Sequence, residues 1–398
     1  MQPIDRRKAL ALAGAGLLVG RGAARAETVT LPFANGERPL VQYPGKRALV
    51  RMTTRPPQLE TPFAVFDESL ITPNDAFFVR YHLADIPLEI DAATFRVAIK
   101  GAVKTPLSLS LDDLKRLGGT EIVAVNQCSG NGRGLFEPRV AGGQAGNGLM
   151  GNARWHGVPL RTVLEHAGVA DGAVQVRFDG LDGPVSDKTP DFVKALPIEH
   201  VMDGTVMLAW GMNGADLPWL NGYPLRLVVP GYYGTYWMKH LNEITVVDQP
   251  VKTFWMDTAY RIPDNDCNCV EPGTAPAKTK PIGKYKVRSF ITSVADHGPF
   301  PAGRATVLKG IAFDGGSGIK LVELSADGGQ SWVAATLGED LGRFSFRGWQ
   351  HPLTLEPGEH TLMVRATAND GQTQPAKQPW NPSGYLRNVI ETVTVRAA

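Results

Sequence analysis

Short runs of alternating apolar and polar residues, broken by glycine and proline, dominate this chain of 398 residues. Phe95-Arg96-Val97-Ala98-Ile99 puts an apolar side chain at every second position, the period of a half-buried strand. Glu121 to Val125, Val174 to Phe178, Val206 to Ala209, Leu225 to Val229 and Ile244 to Val247 also read as strands. Two stretches carry helical signals instead. Ser110 to Leu117 has Ser110 as N-cap and Asp112 and Asp113 in its first turn, and Leu160 to Ala167 follows as a second short helix. From about Phe63 to Pro250 the pattern predicts an α+β unit of mainly β character. Residues 27–60 before it are polar and Pro-rich and read as an extended arm.

Residues 270–283 (VEPGTAPAKTKPIG) have the composition of a linker, and the pattern changes after them. Thr306 to Ala312, Lys320 to Ser325, Trp332 to Thr336, Arg343 to Phe346, His360 to Ala366 and Glu391 to Val395 predict short strands. Asp314-Gly315-Gly316 and Asp327-Gly328-Gly329 mark turns between them. This is the pattern of an immunoglobulin-like β-sandwich of about a hundred residues. The expected organisation is a signal segment at 1–26, the arm at 27–60, a main domain at 61–265, a linker at 266–283 and the sandwich at 284–398.

Charge narrows the partners. Arg6, Arg7, Lys8, Arg21 and Arg25 stand against Asp5 alone in residues 1–26, and without that segment the net charge falls from +2 to −2. A near-neutral remainder offers no electrostatic reason to expect nucleic acid or an anionic membrane as partner. Arg6-Arg7-Lys8, the uncharged stretch Ala9 to Gly20 and Ala24-Arg25-Ala26 read as basic region, apolar region and cleavage site of an export signal. The apolar stretch is too short to span a bilayer. Its adjacent arginines and weak hydrophobicity point to twin-arginine export of a folded protein to the periplasm, and no membrane span is expected in the mature chain.

Three cysteines, Cys128, Cys267 and Cys269, are too few for a disulfide scaffold, and their spacing fits neither covalent haem nor an iron–sulfur cluster. Cys267-Asn268-Cys269 reads as free or structural thiols, with a strained bridge or a soft-metal site as alternatives. Cys128 sits where a predicted strand runs into the Gly-rich loop Ser129-Gly130-Asn131-Gly132-Arg133. Such a loop lets backbone approach a bound group closely. A thiolate is a soft ligand for a transition metal, and Arg133 adds a cation that binds oxyanions. Position alone favours an inert buried cysteine.

Four further segments make that loop specific. Cys128-Ser129-Gly130-Asn131-Gly132-Arg133 resembles the C-x-G-N-x-R segment of the sulfite oxidase family, and Phe77-Phe78-Val79-Arg80-Tyr81-His82 resembles its F-F-x-R-N-H segment. Residues 148–160 resemble its G-A-I-G-x-A-x-W-x-G-V-P-L segment, and Met212-Asn213-Gly214 through Tyr223–Gly231 to Lys239 its M-N-G…G-x-P-x-R-x-x-V-P-G…K stretch. Trp380-Asn381-Pro382-Ser383-Gly384 is similar to its W-N-L-R-G segment. The matches run in family order from about Pro44 to the C-terminus.

The resemblance implies a molybdopterin domain followed by a dimerisation domain, and one molybdenum held by a single pyranopterin dithiolene and a cysteine thiolate, here Cys128. It places Arg80, Arg133, Tyr260 and His82 in the catalytic pocket. It gives Asp182, Asn221, Arg226 and Lys239, with the segment Phe78, Val79, Arg80, Tyr81 and His82, to the pterin and its phosphate. The implied reaction is oxidation of sulfite to sulfate by oxygen-atom transfer, with electrons passing singly to a separate c-type cytochrome, and the implied assembly a homodimer or heterodimer. The chain departs from the family at Tyr81 (asparagine), at Asn221 (histidine in animal members) and at Ser383 (pocket arginine), for which Arg387 is a candidate substitute. A periplasmic reductase of methionine sulfoxides with the same cysteine loop, and a non-catalytic adhesive β-sandwich protein, are the competing readings.

Overall fold

The computed structural model describes residues 27–31 and 34–398, so the export segment predicted at 1–26 lies outside the described residues. The two predicted helices form because their ends and faces agree. Leu111–Arg116 starts at a capping box in which the Ser110 hydroxyl accepts from the Asp113 N–H and the Asp113 carboxylate accepts from the Ser110 N–H. Leu160–Ala167 buries Leu160, Val163, Leu164 and Ala167, one stripe at helical spacing. It stops at Gly168, whose left-handed φ of 70° lets its N–H close on the last carbonyls.

Two sheets build the main unit. One runs Lys194–Pro197, Gln175–Gly180, Leu241–Val247, Val97–Gly101, Leu107–Leu109, with its single parallel pair between Leu241–Val247 and Val97–Gly101. The other runs Ala215–Asp216, Met207–Met212, Met150–Pro159, Thr120–Gln127, with Arg226–Val228 also pairing on Met207–Met212. The strand Thr120–Gln127 delivers the chain to Cys128, and Met150–Pro159 pairs along its whole length. Trp155, fully buried, sits in this second sheet and meets Phe77 and Trp237 edge-on.

Residues 27–60, expected as a loose arm, form a sheet. Thr28–Leu31, Gly36–Val41, Leu49–Thr53 and Gln58–Glu60 pair antiparallel in order, and Val79–Arg80 of the F-F-V-R-Y-H segment completes it. The strands are short and prolines punctuate them, so no periodic run is long enough to announce them. The segment expected as a linker is likewise anchored: Thr279–Pro281 pairs with Arg261–Pro263, and the Ile282 N–H donates to the Tyr260 carbonyl.

The C-terminal residues form the expected sandwich. One sheet runs Arg288–Ile291, Thr306–Phe313, Arg347–Leu353, Thr336–Leu337 and the other Gly298–Phe300, Glu391–Ala397, Gly358–Ala368, Ile319–Ser325, Val333–Ala334. Two details differ from expectation. The run Trp332 to Thr336 is split between the two sheets around buried Ala335. Arg343 to Phe346 is a turn rather than a strand, because the Phe344 carbonyl accepts from Val125 N–H and Phe346 packs against Phe66 and Phe313. Both contacts pull the segment out of the sandwich and onto the main unit.

That attachment is a core, not a touch. Tyr285, Phe290, Phe313 and Phe346 belong to the same apolar cluster as Phe66, Phe77 and Trp155. The Tyr285 hydroxyl donates to the Val125 carbonyl at 2.8 Å and accepts the Gln127 N–H at 3.1 Å, so the sandwich grips the strand that presents Cys128. Arg288, with no exposed side-chain surface, donates to Glu391 at 2.8 Å, Asn147 at 2.9 Å and Gln127 at 3.3 Å. Arg288→Met leaves Asn147 without its donor, Gln127 with Asn131 alone and Glu391 with Arg387 alone. Unfolding in urea should show a loss of about 3 kcal/mol; a change below about 0.5 kcal/mol would show that the bridge is not a brace.

Candidate active site

Cys128 is the free cysteine of the chain and half-buried. Its N–H donates to Leu149 O (2.9 Å), its carbonyl accepts from Asn131 N–H (3.0 Å), and its sulfur accepts from Gly130 N–H (3.4 Å). The Asn131 side chain reaches back to Leu149 N–H at 2.9 Å. Gly132 turns the loop at a φ of 81°, and a side chain there would collide with Arg387 and Asn147. The loop is therefore held from both flanks, with the thiol left open to a cavity.

That cavity is lined by Cys128 together with Phe78, Arg80, Tyr81, His82, Asp182, Asn221, Arg226, Lys239 and Tyr260. The fold thus brings together the expected residues except two. Val79 is paired with Leu59 inside the N-terminal sheet and packs in its small core. Arg133 is turned away: its Nε donates to Ser383 O at 3.0 Å and its guanidinium lies 4.9 Å from the centre of the Tyr385 ring. Arg387 does not supply a pocket cation, because it pairs with Glu391 beside Arg288. Of the two arginines expected at the substrate, Arg80 lines the cavity and Arg133 lies a layer behind it.

Around Tyr260 the geometry is tight. Its hydroxyl lies 2.5 Å from His82 Nε2 and accepts from Arg80 Nη2 at 3.3 Å. Its ring stacks on Tyr385 at 5.6 Å, and its φ of 59° is a left-handed conformation that a bulky residue adopts only when its surroundings impose it. Burial pushes the Tyr260 hydroxyl above its ordinary range. His82 stacks on Phe192 at 3.5 Å, and burial, reinforced by Arg80, Lys239 and Lys194, keeps the imidazole well below its ordinary value. For Arg80, burial opposes the charged form, but Tyr260 and Cys128 outweigh it and hold the guanidinium above its usual value.

The opposite wall is cationic. Arg226 donates to Asn221 O at 2.8 Å and lies 4.8 Å from the Trp155 ring, and burial pulls it down to about 9. Lys239 donates to Arg80 O and sits 4.0 Å over the Tyr81 ring. Burial and then Arg226 lower its ammonium, while burial raises nearby Asp182. Tyr81, the departure from the family asparagine, is thus the platform for Lys239, and its hydroxyl is bonded to His240 Nε2 at 2.7 Å. Lys46, from the expected arm, was not foreseen. It is buried, donates to Asn74 O at 2.7 Å, Phe77 O at 3.0 Å and the Asn221 amide oxygen, and burial pulls it down to about 7. Asn221 in turn donates to Phe78 O at 3.0 Å.

The donor set suits a polyanionic, metal-bearing group. Arg80, Arg226 and Lys239 face the cavity against one carboxylate, Asp182. Asn126 Oδ1, Ser129 Oγ, Thr235 Oγ1 and Arg226 Nε are buried without a protein partner, and all four residues line the cavity. Polar atoms so placed need a partner that the chain itself does not provide. Tyr385 and Thr235 also escaped sequence reasoning; Tyr385 directly follows the Trp380–Gly384 segment and could have been found there. Cys267 and Cys269 are joined in a disulfide rather than free, and no cluster of metal-ligating side chains occurs among the described residues. Nor is any helix among them long and apolar enough to cross a membrane.

Comparison with known proteins agrees with this geometry. Residues 83–255 match the oxidoreductase molybdopterin binding domain and residues 279–398 the Mo-co oxidoreductase dimerisation domain. Mitochondrial sulfite oxidase of Homo sapiens is 32% identical over 389 residues, covering 93% of this chain and 70% of that protein. Sulfite oxidase of Gallus gallus is 32% identical over 373 residues, covering 89% and 78%. The crystal structure of the sulfane dehydrogenase SoxCD from Paracoccus pantotrophus superposes with a TM-score of 0.74 at 25% identity, over 99% of this chain and 97% of that one. With the cysteine loop, the cationic wall and both domains in place, the chain belongs to the sulfite oxidase family of molybdenum oxidoreductases, which work with molybdopterin.

Proposed function

We propose that this protein oxidises sulfite to sulfate in the periplasm, with Cys128 as the thiolate ligand of molybdenum. The observation that carries this reading is the convergence of Cys128, Arg80, Tyr260 and His82 on one cavity with a cationic far wall. The net reaction converts sulfite and water to sulfate, two protons and two electrons. When bound, the molybdenum cofactor supplies the two-electron oxygen-atom exchange.

The chain's own residues do the rest. Arg226 and Lys239 hold the anionic end of the pterin, and Asn126, Ser129 and Thr235 offer it their unpartnered polar atoms. Arg80 orients the sulfite oxyanion with guanidinium N–H donors that stay charged at any working pH. Tyr260 bridges Arg80 and His82, and a neutral His82 is able to take a proton that leaves the reacting water. Phe192, stacked on His82, and Trp255, edge-on to it, screen that proton from bulk water.

Electrons leave one at a time to a separate c-type cytochrome through a small, transient contact. The twin-arginine pattern at Arg6-Arg7 supports export of the loaded, folded protein, and the match of residues 279–398 to a dimerisation domain supports a dimer. A sulfane-sulfur substrate is the second reading, favoured by the whole-chain likeness to the sulfane dehydrogenase and by the turning of Arg133 toward Ser383, which takes one expected arginine off the cavity.

Three outcomes test this. Purified protein should reduce cytochrome c with sulfite and fail to oxidise reduced dye with methionine sulfoxide; the reverse would overturn the reading, and turnover on a sulfane-sulfur compound alone would select the second. Cys128→Ser should fold with a native circular dichroism spectrum and lose sulfite oxidation to background. Arg80→Gln should lower kcat/KM for sulfite by about 10-fold or more, from ~1.5–3 kcal/mol for a hydrogen bond to a charged group, mainly through KM. An unchanged KM would remove Arg80 from substrate binding.

A further inference from the structure

One buried cation lies behind the site and takes no part in the reaction as described. Lys194 opens the strand Lys194–Pro197 and has no exposed surface. Its Nζ donates to the Trp255 carbonyl at 2.6 Å and lies 4.7 Å from the centre of the Tyr236 ring and 5.4 Å from that of Tyr260. No carboxylate pairs with it among the described residues. Removing an ammonium from water without a counter-ion is costly, so a lysine kept there by two aromatic faces and one carbonyl marks a constraint other than packing.

The residues around it close a circuit on Tyr260. The Tyr236 hydroxyl donates to the Ile282 carbonyl at 2.5 Å, and the Ile282 N–H donates to the Tyr260 carbonyl at 2.8 Å. Tyr260 itself is in the left-handed region, so its ring position depends on these contacts and on Tyr385. Its hydroxyl meets His82 and Arg80. The charged and titratable groups facing Lys194 are Arg261 from the adjoining strand, Tyr236 from the turn Gly234–Tyr236, Tyr260, and His82 from the F-F-V-R-Y-H segment. Of these Lys194, together with Arg80 and Lys239, opposes a further proton on His82.

We propose that Lys194 is a positioning residue for the Tyr260–His82 pair. Its ammonium, fixed by Trp255, holds the Tyr260 ring where the hydroxyl reaches both partners, and its charge opposes a proton on the imidazole. The side chain does not reach the cavity, so it acts on turnover and not on substrate affinity. Burial, with Arg261 second, pulls Lys194 down to about 7, so the charge is present below neutrality and lost as pH rises through it.

Two substitutions separate charge from packing. Lys194→Gln keeps a donor for the Trp255 carbonyl and removes the charge; Lys194→Met removes both. The turnover arm rests on the sulfite-oxidising reading, whereas the second arm does not. For molybdenum-matched samples, kcat of both variants should fall roughly tenfold below neutral pH and approach wild type above it, over about pH 6 to about pH 9, with KM unchanged. In histidine-labelled protein, the His82 ring resonance, assigned with His82→Gln, should titrate at higher pH in Lys194→Gln than in wild type, with or without cofactor. Wild-type kcat at low pH together with an unmoved His82 titration in Lys194→Gln would overturn the proposal. So would parallel losses of kcat and molybdenum content with KM rising, the pattern of a residue that only supports the fold. Should neither variant fold, titration of a selectively labelled Lys194 in the wild-type protein decides it: a midpoint well above neutrality, unaffected by Tyr260→Phe, would overturn the assignment.

Discussion

Arg80, Arg226 and Lys239 are positive charges taken out of water around one cavity, with Asp182 as the single carboxylate among its lining residues. Each such burial costs several kcal/mol unless opposite charge or strong acceptors compensate it. The chain compensates partly, with backbone carbonyls under Arg226 and Lys239 and with the aromatic faces of Trp155 and Tyr81. Burial still pulls Arg226 and Lys239 down, so part of that cost is left. An anionic cofactor seated against them removes that residue of unfavourable energy, and so binding of the cofactor and stability of the fold are the same free energy seen twice.

The sandwich and the N-terminal sheet both hold that cavity. The sandwich grips the strand before Cys128 through Tyr285 and the loop after it through Arg288. The N-terminal sheet recruits Val79–Arg80 as its last strand and sends Lys46 beneath Asn221 and the Phe77 carbonyl. Glu60, at the end of the adjoining strand, accepts from Gly146 N–H at 2.8 Å, tying the same sheet to the far side of the cysteine loop. The site is thus assembled from segments far apart in the chain, which is why its rigidity depends on long-range contacts rather than on any one helix or hairpin.

Periodic segments were legible in the sequence. Leu160–Ala167, with its apolar stripe and terminal glycine, and the strands around Val174 and Ile244 appear where the pattern puts them. The cysteine loop was legible for a different reason: Cys128 to Arg133 resembles the family's C-x-G-N-x-R segment, and further segments follow the family order along the chain. The N-terminal sheet was not, since its strands are short, alternate weakly and are completed only by the later strand Val79–Arg80. Orientation was also hidden. Arg133 belongs to the motif, yet Ser383 offers a carbonyl and Tyr385 a ring, and those draw its guanidinium away. Lys46 and Lys194 acquire meaning only through neighbours that no local pattern reveals.

Cys128 stands at the centre of this arrangement: half-buried, its loop fixed by Leu149, Asn131 and Gly132, its sulfur toward the cations. X-ray absorption at the molybdenum edge of the purified protein tests its role most directly. The account predicts a sulfur shell with one thiolate beyond the dithiolene pair. A shell containing the dithiolene sulfurs alone, in protein carrying its full complement of molybdenum, would contradict it.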